Sequence, residues 1–265
     1  MINYKKADLS DLKIKTTLKD IWIECFGDLK EAADLFFDLS PDCLSGFYAE
    51  CDGKIVSALY LINGFLNGKK AHYMCGVSTL EQYRNRGIIR NLIEYSLNDA
   101  KKNGDVYSLL FPVNVSLYPF YSKFGYAPLC TAKKCEISRE EPENLNYNTE
   151  ISLNKQENCF MYGKEFISFA EKYYAVYGVK SVSNKNAFAF IEESSDSANV
   201  FYCDYSDFEE LKKLLLENTD KRSFEFTVKS DDKVFVNFEK EIYGMIKSID
   251  DTEIPDDVFI GITLN

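Results

Sequence analysis

The feature that most constrains the fold is a strand, a short basic loop and an amphipathic helix in direct succession. Residues 70–77 form an apolar run typical of a buried strand. Residues 88–102 have helical periodicity and end at Gly104, a typical helix C-terminus. A second buried strand is predicted at residues 106–112. Such a strand–helix–strand unit predicts a module in which helices pack on a sheet.

Upstream of this unit, the pattern predicts one or two helices and a hairpin. Residues 19–39 have helical spacing that breaks near Gly27. Asp52-Gly53 between two β-runs is typical of a tight hairpin turn, and Asn67-Gly68 marks a further turn. The sheet is therefore predicted to begin with three antiparallel strands, at residues 47–51, 54–61 and 70–77.

The order of elements partly repeats in the second half of the chain. Residues 138–149 are polar and predict a linker. Beyond it, helices are predicted at 166–177 and 207–218, and strands at 187–192, 200–204, 224–229, 233–238, 243–249 and 259–264. We therefore expect an α+β fold of two modules, residues 1–140 and 146–265, with mixed, mostly antiparallel sheets flanked by helices. The second module lacks a Gly-rich loop, so we expect no second cofactor site there.

Charge is distributed unevenly between the halves. The net charge of -11 disfavours nucleic acid as a partner. Residues 1–145 hold 18 Lys/Arg and 19 Asp/Glu, whereas residues 146–265 hold 13 and 23. A polyanionic ligand suits the first half and a cationic one the second, although the acidic excess is equally explained by solubility.

Other features exclude several classes of protein. No run of 18 apolar residues predicts a membrane span, and the N-terminus does not resemble a signal peptide. Eight cysteines occur singly, without a Cys-x-x-Cys pair, which is typical of reduced thiols. The single histidine, His72, makes a zinc site improbable. We expect a cytoplasmic protein without a metal and without a membrane partner.

The basic loop has the residues of an anion site. Arg84, Arg86 and Gly87 lie where the helix begins, and Arg90 lies in its first turn. A helix N-terminus leaves backbone N–H groups unpaired, and a glycine lets a phosphate approach them closely. The arginines add charge and hydrogen-bond donors. This pattern predicts a pyrophosphate site, and the alternative is a solvated basic loop that only caps the helix.

Residues 84–90 resemble the acyl-CoA loop of the GNAT superfamily of N-acyltransferases, Arg/Gln-x-x-Gly-x-Gly/Ala. Ile89 stands where that pattern has Gly or Ala. Arg-x-Arg-Gly followed by two aliphatic residues and Arg resembles the enhanced-intracellular-survival-type branch of these acetyltransferases. The resemblance implies two tandem GNAT-like modules, with acetyl-CoA as co-substrate. The implied pyrophosphate site consists of Arg84, Asn85, Arg86, Gly87, Ile88, Ile89 and Arg90.

A second segment, residues 116–126, resembles the family's stretch after the fifth strand, Tyr-x-x-Phe/Leu-Gly-Tyr/Phe. By this resemblance, Tyr121 protonates the departing CoA thiolate, a role that suits a phenol. Without the resemblance, Tyr121 would be interpreted as a core aromatic, as Tyr118 and Tyr126 are. The resemblance covers residues 70–128 specifically and the rest of the first module by element order.

The resemblance also implies that the strand at residues 71–77 splays from the strand at 106–112 to admit pantetheine. The backbone of Cys75, Gly76 and Val77 would then lie along the thioester, and an amide there could stabilise the oxyanion. Asn114 is a candidate partner for pantetheine, with a turn residue as the equal alternative. A covalent role for Cys75 is disfavoured because no base is adjacent in sequence.

The general base is not settled by the sequence. Three candidates are a water molecule, His72 and the carboxylate of Asn265, because the resembling branch uses its C-terminal carboxylate. Members of that branch are longer and carry a C-terminal sterol-carrier-like domain, which is expected to be missing here. A one-residue extension after Asn265 would test the carboxylate.

We therefore expect an acetyl-CoA-dependent N-acetyltransferase that acts by direct transfer on a primary amine, with a cationic small molecule as acceptor. One alternative is a non-catalytic acyl-CoA-binding sensor or regulatory module. Another is an acyltransferase for a protein or peptide amine. Whether the chain forms a homo-oligomer is left open.

Overall fold

A computed structural model describes residues 1–139, Leu145 and residues 157–264. The first half comprises β1 (Ile2–Lys6), α1 (Leu12–Phe26), α2 (Lys30–Phe37), β2 (Leu44–Cys51), β3 (Lys54–Leu66), β4 (Lys69–Thr79), α3 (Ile88–Lys102), β5 (Tyr107–Leu110), α4 (Tyr118–Ser122) and β6 (Ala127–Ser138). The second comprises β7 (Phe160–Tyr162), α5 (Lys164–Val176), β8 (Lys180–Ser183), β9 (Ala187–Glu193), β10 (Ser197–Tyr205), α6 (Phe208–Asn218), β11 (Ser223–Lys229) and β12 (Lys240–Ser248). The predicted α+β fold is confirmed.

Within the described residues, the strands of both halves form one mostly antiparallel sheet. Its order is β1-β2-β3-β4-β5-β12-β6-β11-β10-β9-β8, and β7 pairs with β3. The order is symmetric about the β12–β6 pair, so that β5 corresponds to β11 and β4 to β10. Each half of the chain also contributes one strand that pairs with strands of the other half. β6 follows β5 along the chain but pairs with β11, and β12 follows β11 but pairs with β5.

Turn chemistry explains why the first three central strands form where the sequence predicts them. Asp52 and Gly53 have φ of +49° and +81°, and Asn67 and Gly68 have +50° and +74°. Paired positive φ angles are those of the hairpin turn that follows the twist of the strands. Gly27 ends α1 in the left-handed conformation, which explains the predicted break between the two helices.

Two predicted strands are wrong. Residues 233–238 form a turn, in which the Asp232 side chain accepts a hydrogen bond from the Val234 N–H at 2.9 Å. Their apolar character reflects burial beneath α6, where Phe235 is fully buried. Residues 259–264 form no strand beyond the single bridge between Phe259 and Cys159. Strands β1, β6, β7 and β8 were not predicted, and most of the predicted linker lies outside the described residues.

The two faces of the sheet pack against different helices. Along β4, Ala71, Tyr73 and Cys75 belong to the cluster that includes residues of α1, α2 and α5. Met74 belongs to the cluster that includes residues of α3 and α4. This alternation follows from the two-residue period of a strand. The central part of β4 therefore separates the α3 side of the sheet from the side of α1, α2 and α5.

Candidate active site

Strand β5 pairs over its whole length with the first half of β4, and β4 then continues without it. Their parallel register runs from Ala71 opposite Tyr107 to Met74 opposite Leu110. Beyond this point β4 continues alongside β3 with a shift in register, because Tyr60 pairs with Cys75 and Ala58 with Ser78. We call the gap between the separated ends the first cleft. Cys75, Gly76 and Val77 therefore lie where β4 leaves β5.

Gly76 permits the bend in β4 that opens this cleft. Its φ is +60°, a conformation that other residues rarely adopt. A Cβ at this position would lie 2.3 Å from Trp22 Cζ3 and 2.7 Å from Tyr60 Cδ2. Glycine is therefore required both for the backbone conformation and for the close approach of the Trp22 ring.

The loop before α3 presents an open helix N-terminus. Gly87 is the N-cap at φ +74°, without a side-chain cap from the described residues or an acidic residue in the first turn. Arg84 Nε donates to the Thr79 carbonyl at 3.0 Å, and Arg86 donates to the Gln82 carbonyl at 2.9 Å. The first bond holds the loop against the end of β4, and the second lies within the loop. Because the first amides of a helix have no intrahelical partner, this arrangement is chemically suited to an anion.

The structure accommodates the Ile89 side chain, which stands where the family pattern has Gly or Ala. Ile88 is buried, and Ile89 packs partly buried against the cluster on the α3 side. Asn85 takes a positive φ of +61°. The Ile89 side chain thus has a place in the core, and Arg90 is exposed at the start of the helix.

Tyr121 lies in α4 and packs in the same cluster as Met74 and Leu110, the last pair before the first cleft. Burial raises the pKa of Tyr121 to about 12, so the phenol is protonated at neutral pH. Among the described residues, its hydroxyl makes no hydrogen bond. The Tyr126 hydroxyl, in contrast, lies 2.6 Å from Ser108 Oγ. Of these two neighbouring tyrosines, Tyr121 is the one whose hydroxyl has no hydrogen-bond partner among the described residues.

Asn114 caps the short turn that precedes α4. Its side-chain oxygen accepts hydrogen bonds from the backbone N–H and the hydroxyl of Ser116. Asn114 therefore has the turn role that the sequence offered as the alternative to binding pantetheine. The amide oxygen is occupied in the turn, so a ligand would be bound by the amide N–H donors.

Residues 14–129 match the family described as the acetyltransferase (GNAT) domain. The chain contains a GNAT acetyltransferase domain. No curated protein matches the sequence. The match ends before the second half of the chain, so that half is assigned by its fold alone.

Solved structures of similar fold cover both halves. A probable N-acyltransferase from Enterococcus faecalis aligns with a TM-score of 0.73 at 12% identity, over 94% of this chain and 73% of that one. Eis1 from Mycobacterium abscessus aligns with 0.68 at 13%, over 94% and 74%. A GCN5-related N-acetyltransferase from Kribbella flavida aligns with 0.65 at 12%, over 94% and 72%. These likenesses show that the GNAT domain and the second half of the chain together have the two-module fold predicted from the resemblance.

On the α1 side of the GNAT domain lies a carboxylate that the sequence did not reveal. Asp28 Oδ2 accepts hydrogen bonds from Trp22 Nε1 at 2.7 Å and from the Tyr173 hydroxyl at 3.0 Å. The Trp22 ring also lies against Gly76, and it is tilted by 59° to the Phe26 ring, with 5.1 Å between centroids. Asp28 is thus a carboxylate among aromatic rings, and the Trp22 indole lies between it and Gly76 at the first cleft. The signal in sequence was a carboxylate directly after the helix break at Gly27.

The segment at residues 258–264 runs through a group of tyrosines beside the same core. The Tyr174 hydroxyl donates to the Thr263 carbonyl at 2.6 Å, and the Tyr162 hydroxyl donates to that of Ile262. Leu264 packs against the cluster that contains Tyr73 and Cys75. Apolar residues that resembled a strand are therefore held by side-chain hydroxyls instead of a ladder. Asn265 lies outside the described residues.

His72 occupies the closed part of the sheet. It is fully buried, its Nδ1 lies 2.6 Å from Asp105 Oδ2, and it stands opposite Ser108 of β5. Burial alone raises the pKa of Asp105, but its hydrogen bond and charge interactions with His72 and Lys70 outweigh this effect and lower it. The geometry fits a structural histidine, because His72 Nε2 is buried without a hydrogen-bond partner and away from the open ends of the strands.

Cysteine chemistry and metal ligation have little structural support. Burial raises the pKa of the Cys75 thiol far above its usual value, which disfavours the thiolate. All eight cysteines have free thiols. Among the described residues, no group of three or more His, Cys, Asp or Glu side chains could hold a metal ion.

No described helix is both long and apolar enough to cross a membrane.

Proposed function

We propose that the protein transfers the acetyl group of acetyl-CoA directly to a primary amine. The observation that carries this proposal is the first cleft, with an open, arginine-flanked helix N-terminus and the unbonded Tyr121 hydroxyl on the α3 face of the sheet. The amides and arginines of residues 84–90 bind the pyrophosphate. Cys75, Gly76, Val77 and Asn114 are the proposed contacts of the pantetheine and the thioester.

In the proposed reaction, the amine nitrogen forms a bond to the thioester carbonyl carbon and the carbon–sulfur bond breaks. A backbone amide at the bend of β4 stabilises the oxyanion. Tyr121 gives its proton to the departing sulfur, and a general base takes the proton of the ammonium intermediate. For the base we retain the carboxylate of Asn265, with water as the alternative. Unchanged turnover after a one-residue extension beyond Asn265 would exclude the carboxylate.

The proposed acceptor is a cationic small molecule. Asp28 lies among aromatic rings on the side of the first cleft opposite α3, and an ammonium group binds well to such a carboxylate and to ring faces. We expect Asp28→Asn to raise KM for the amine roughly tenfold while the KM for acetyl-CoA stays unchanged. Asparagine can still accept the bonds from Trp22 and Tyr173. Asp38→Asn, at an exposed aspartate of the same region, is the control.

The test of activity is a thiol-release assay with acetyl-CoA and a panel of primary amines, including a lysine peptide. Tyr121→Phe should lower kcat by roughly 100- to 1000-fold while acetyl-CoA binding is kept. Tyr126→Phe, whose hydroxyl is bonded to Ser108, is the matched control and should retain most activity. Release with the lysine peptide alone would favour the protein acceptor. Binding of acetyl-CoA without release for any amine would favour the sensor function.

A further inference from the structure

The second half of the sheet contains a cleft that corresponds to the first one. Strands β10 and β11 are parallel, with pairs from Ser197 opposite Ser223 to Val200 opposite Phe226, and then they separate. The register of β10 against β9 shifts between Asn199 and Tyr202, directly at this point. The same succession of parallel pairing, bulge and separation occurs at β4 and β5.

A cavity of about 570 Å³ lies at these separated ends. Its walls include Tyr202 and Val228, two residues beyond the last pair, together with Phe188 of β9 and Phe259 of the C-terminal segment. We call this cavity the second cleft. Its volume falls within the range of sites for small organic ligands.

The helix beside the second cleft disfavours a phosphate. Asp207 is the N-cap of α6 and accepts a hydrogen bond from the Glu209 N–H at 3.0 Å. Glu209 and Glu210 lie in the first turn. The corresponding helix α3 has no acidic residue there and begins at Gly87. Because the α6 amides are capped and flanked by carboxylates, the second cleft is unsuited to the nucleotide end of CoA.

The interior of the second cleft favours an apolar body with positive charge. The rings of Phe188 and Tyr202 both line it, with centroids 6.2 Å apart and planes inclined at 63°, and aromatic rings attract cations. The charged side chains of the lining balance, with Lys229 paired to Asp231 at 2.9 Å; they are Lys185, Lys229, Lys233, Asp204, Asp231 and Asp232. The wider surroundings are acidic, because residues 146–265 hold 13 Lys/Arg against 23 Asp/Glu.

We propose that the second cleft is a separate, non-catalytic binding site for a small organic ammonium ion with an aromatic or aliphatic body. The proposal concerns a site other than the first cleft and does not depend on acetyl transfer. It accounts for a cavity that lies beside a helix with an acidic first turn, whereas the corresponding helix α3 begins among arginines.

The experiment measures binding of benzyltrimethylammonium to the full chain by calorimetry, once without acetyl-CoA and once with saturating acetyl-CoA. This quaternary ion cannot be acetylated, so binding is separated from turnover. Phenylacetate provides the same ring with a negative charge. We expect the cation to bind at least tenfold more tightly than the anion, and acetyl-CoA not to displace it. Absence of binding, equal affinity for the anion or displacement by acetyl-CoA would each overturn the proposal.

Variants locate the bound cation. Tyr202→Ala should weaken binding at least tenfold, whereas Tyr202→Phe, which keeps the ring, should change it less than about twofold. Tyr95→Ala removes a partly exposed tyrosine from α3 and should have no effect. Phe188→Leu is a second test that keeps apolar volume, should Tyr202→Ala fail to fold. Loss of binding in Asp28→Asn but not in Tyr202→Ala or Phe188→Leu would place the cation at the acceptor side and refute the proposal.

Discussion

At the scale of single residues, Gly76 shows how the absence of a side chain shapes the site. Its positive φ lies where the register of β4 against β3 shifts, and its bare Cα lets Trp22 approach this point. Trp22 in turn holds Asp28 through its indole N–H. One glycine therefore connects the opening of the first cleft with the position of the carboxylate on the acceptor side.

We expect Gly76→Ala to lower the free energy of unfolding by about 3 kcal/mol, because both the backbone and the added methyl group are strained. Gly68→Ala is the matched control. It has a similar φ of +74° but no atom within 4 Å of the added Cβ, so it should cost only about 1 kcal/mol. Urea denaturation of both variants measures the difference. Equal losses would show that the contact with Trp22 is relieved easily.

Tyr121 leads to a prediction about pH. Burial raises its pKa to about 12, whereas an unfolded tyrosine ionises near pH 10. The phenol stays protonated in the folded protein, so kcat should show no alkaline loss from Tyr121 below about pH 10. The stability that this burial provides is complete below pH 10 and is lost as pH rises to 12. A loss of kcat near pH 8 that disappears in Tyr121→Phe would contradict this assignment.

At the scale of elements, two helices in corresponding places have opposite chemistry at their first turns. α3 begins at a glycine among arginines, and α6 begins at a capping aspartate followed by two glutamates. The backbone supplies the same positive dipole end in both cases. The side chains decide whether that end is available to an anion.

We therefore expect Arg90→Ala to weaken acetyl-CoA binding roughly tenfold, with a smaller loss at high salt because the attraction is electrostatic. Lys102→Ala, at the other end of α3, is the control and should bind acetyl-CoA normally. Calorimetric titration at two salt concentrations measures both effects. A similar loss in the two variants would indicate a general effect of charge instead of a local contact.

At the scale of the whole molecule, the strand exchange joins the two halves. β12 lies between β5 and β6, and β6 pairs with β11. The predicted modules, residues 1–140 and 146–265, therefore share one sheet in the described residues. The Tyr173 hydroxyl, from the second half, donates a hydrogen bond to Asp28 Oδ2, from the first half.

From this exchange, residues 1–140 expressed alone should not form a stable monomer, because β6 would lose both of its neighbours and β5 one. Light scattering and thermal unfolding should show association or a much lower Tm than in the full chain. The control is a full chain cleaved at a protease site engineered between residues 140 and 156, which should stay assembled. A stable monomeric fragment that binds acetyl-CoA would show that β6 can replace β12.

Local sequence chemistry predicted several elements closely. The helix at residues 88–102 has the predicted bounds, and the Asp52-Gly53 and Asn67-Gly68 turns lie where expected. These features depend on short-range rules of periodicity and of positive φ. The prediction at residues 233–238 was wrong because an apolar run indicates burial without indicating the backbone conformation.

The sequence by itself determined the basic loop before α3, the turns between the first strands and the uneven division of charge, because each depends on neighbouring residues. Only the tertiary structure decided which strands are neighbours, that β12 separates β5 from β6, and that Asp28 meets Trp22 and Tyr173. It also revealed the second cleft, since the separation of β10 from β11 depends on what each strand pairs with instead. Contacts between residues distant in sequence leave no local pattern, because any of several pairings satisfies the same alternation of apolar and polar residues.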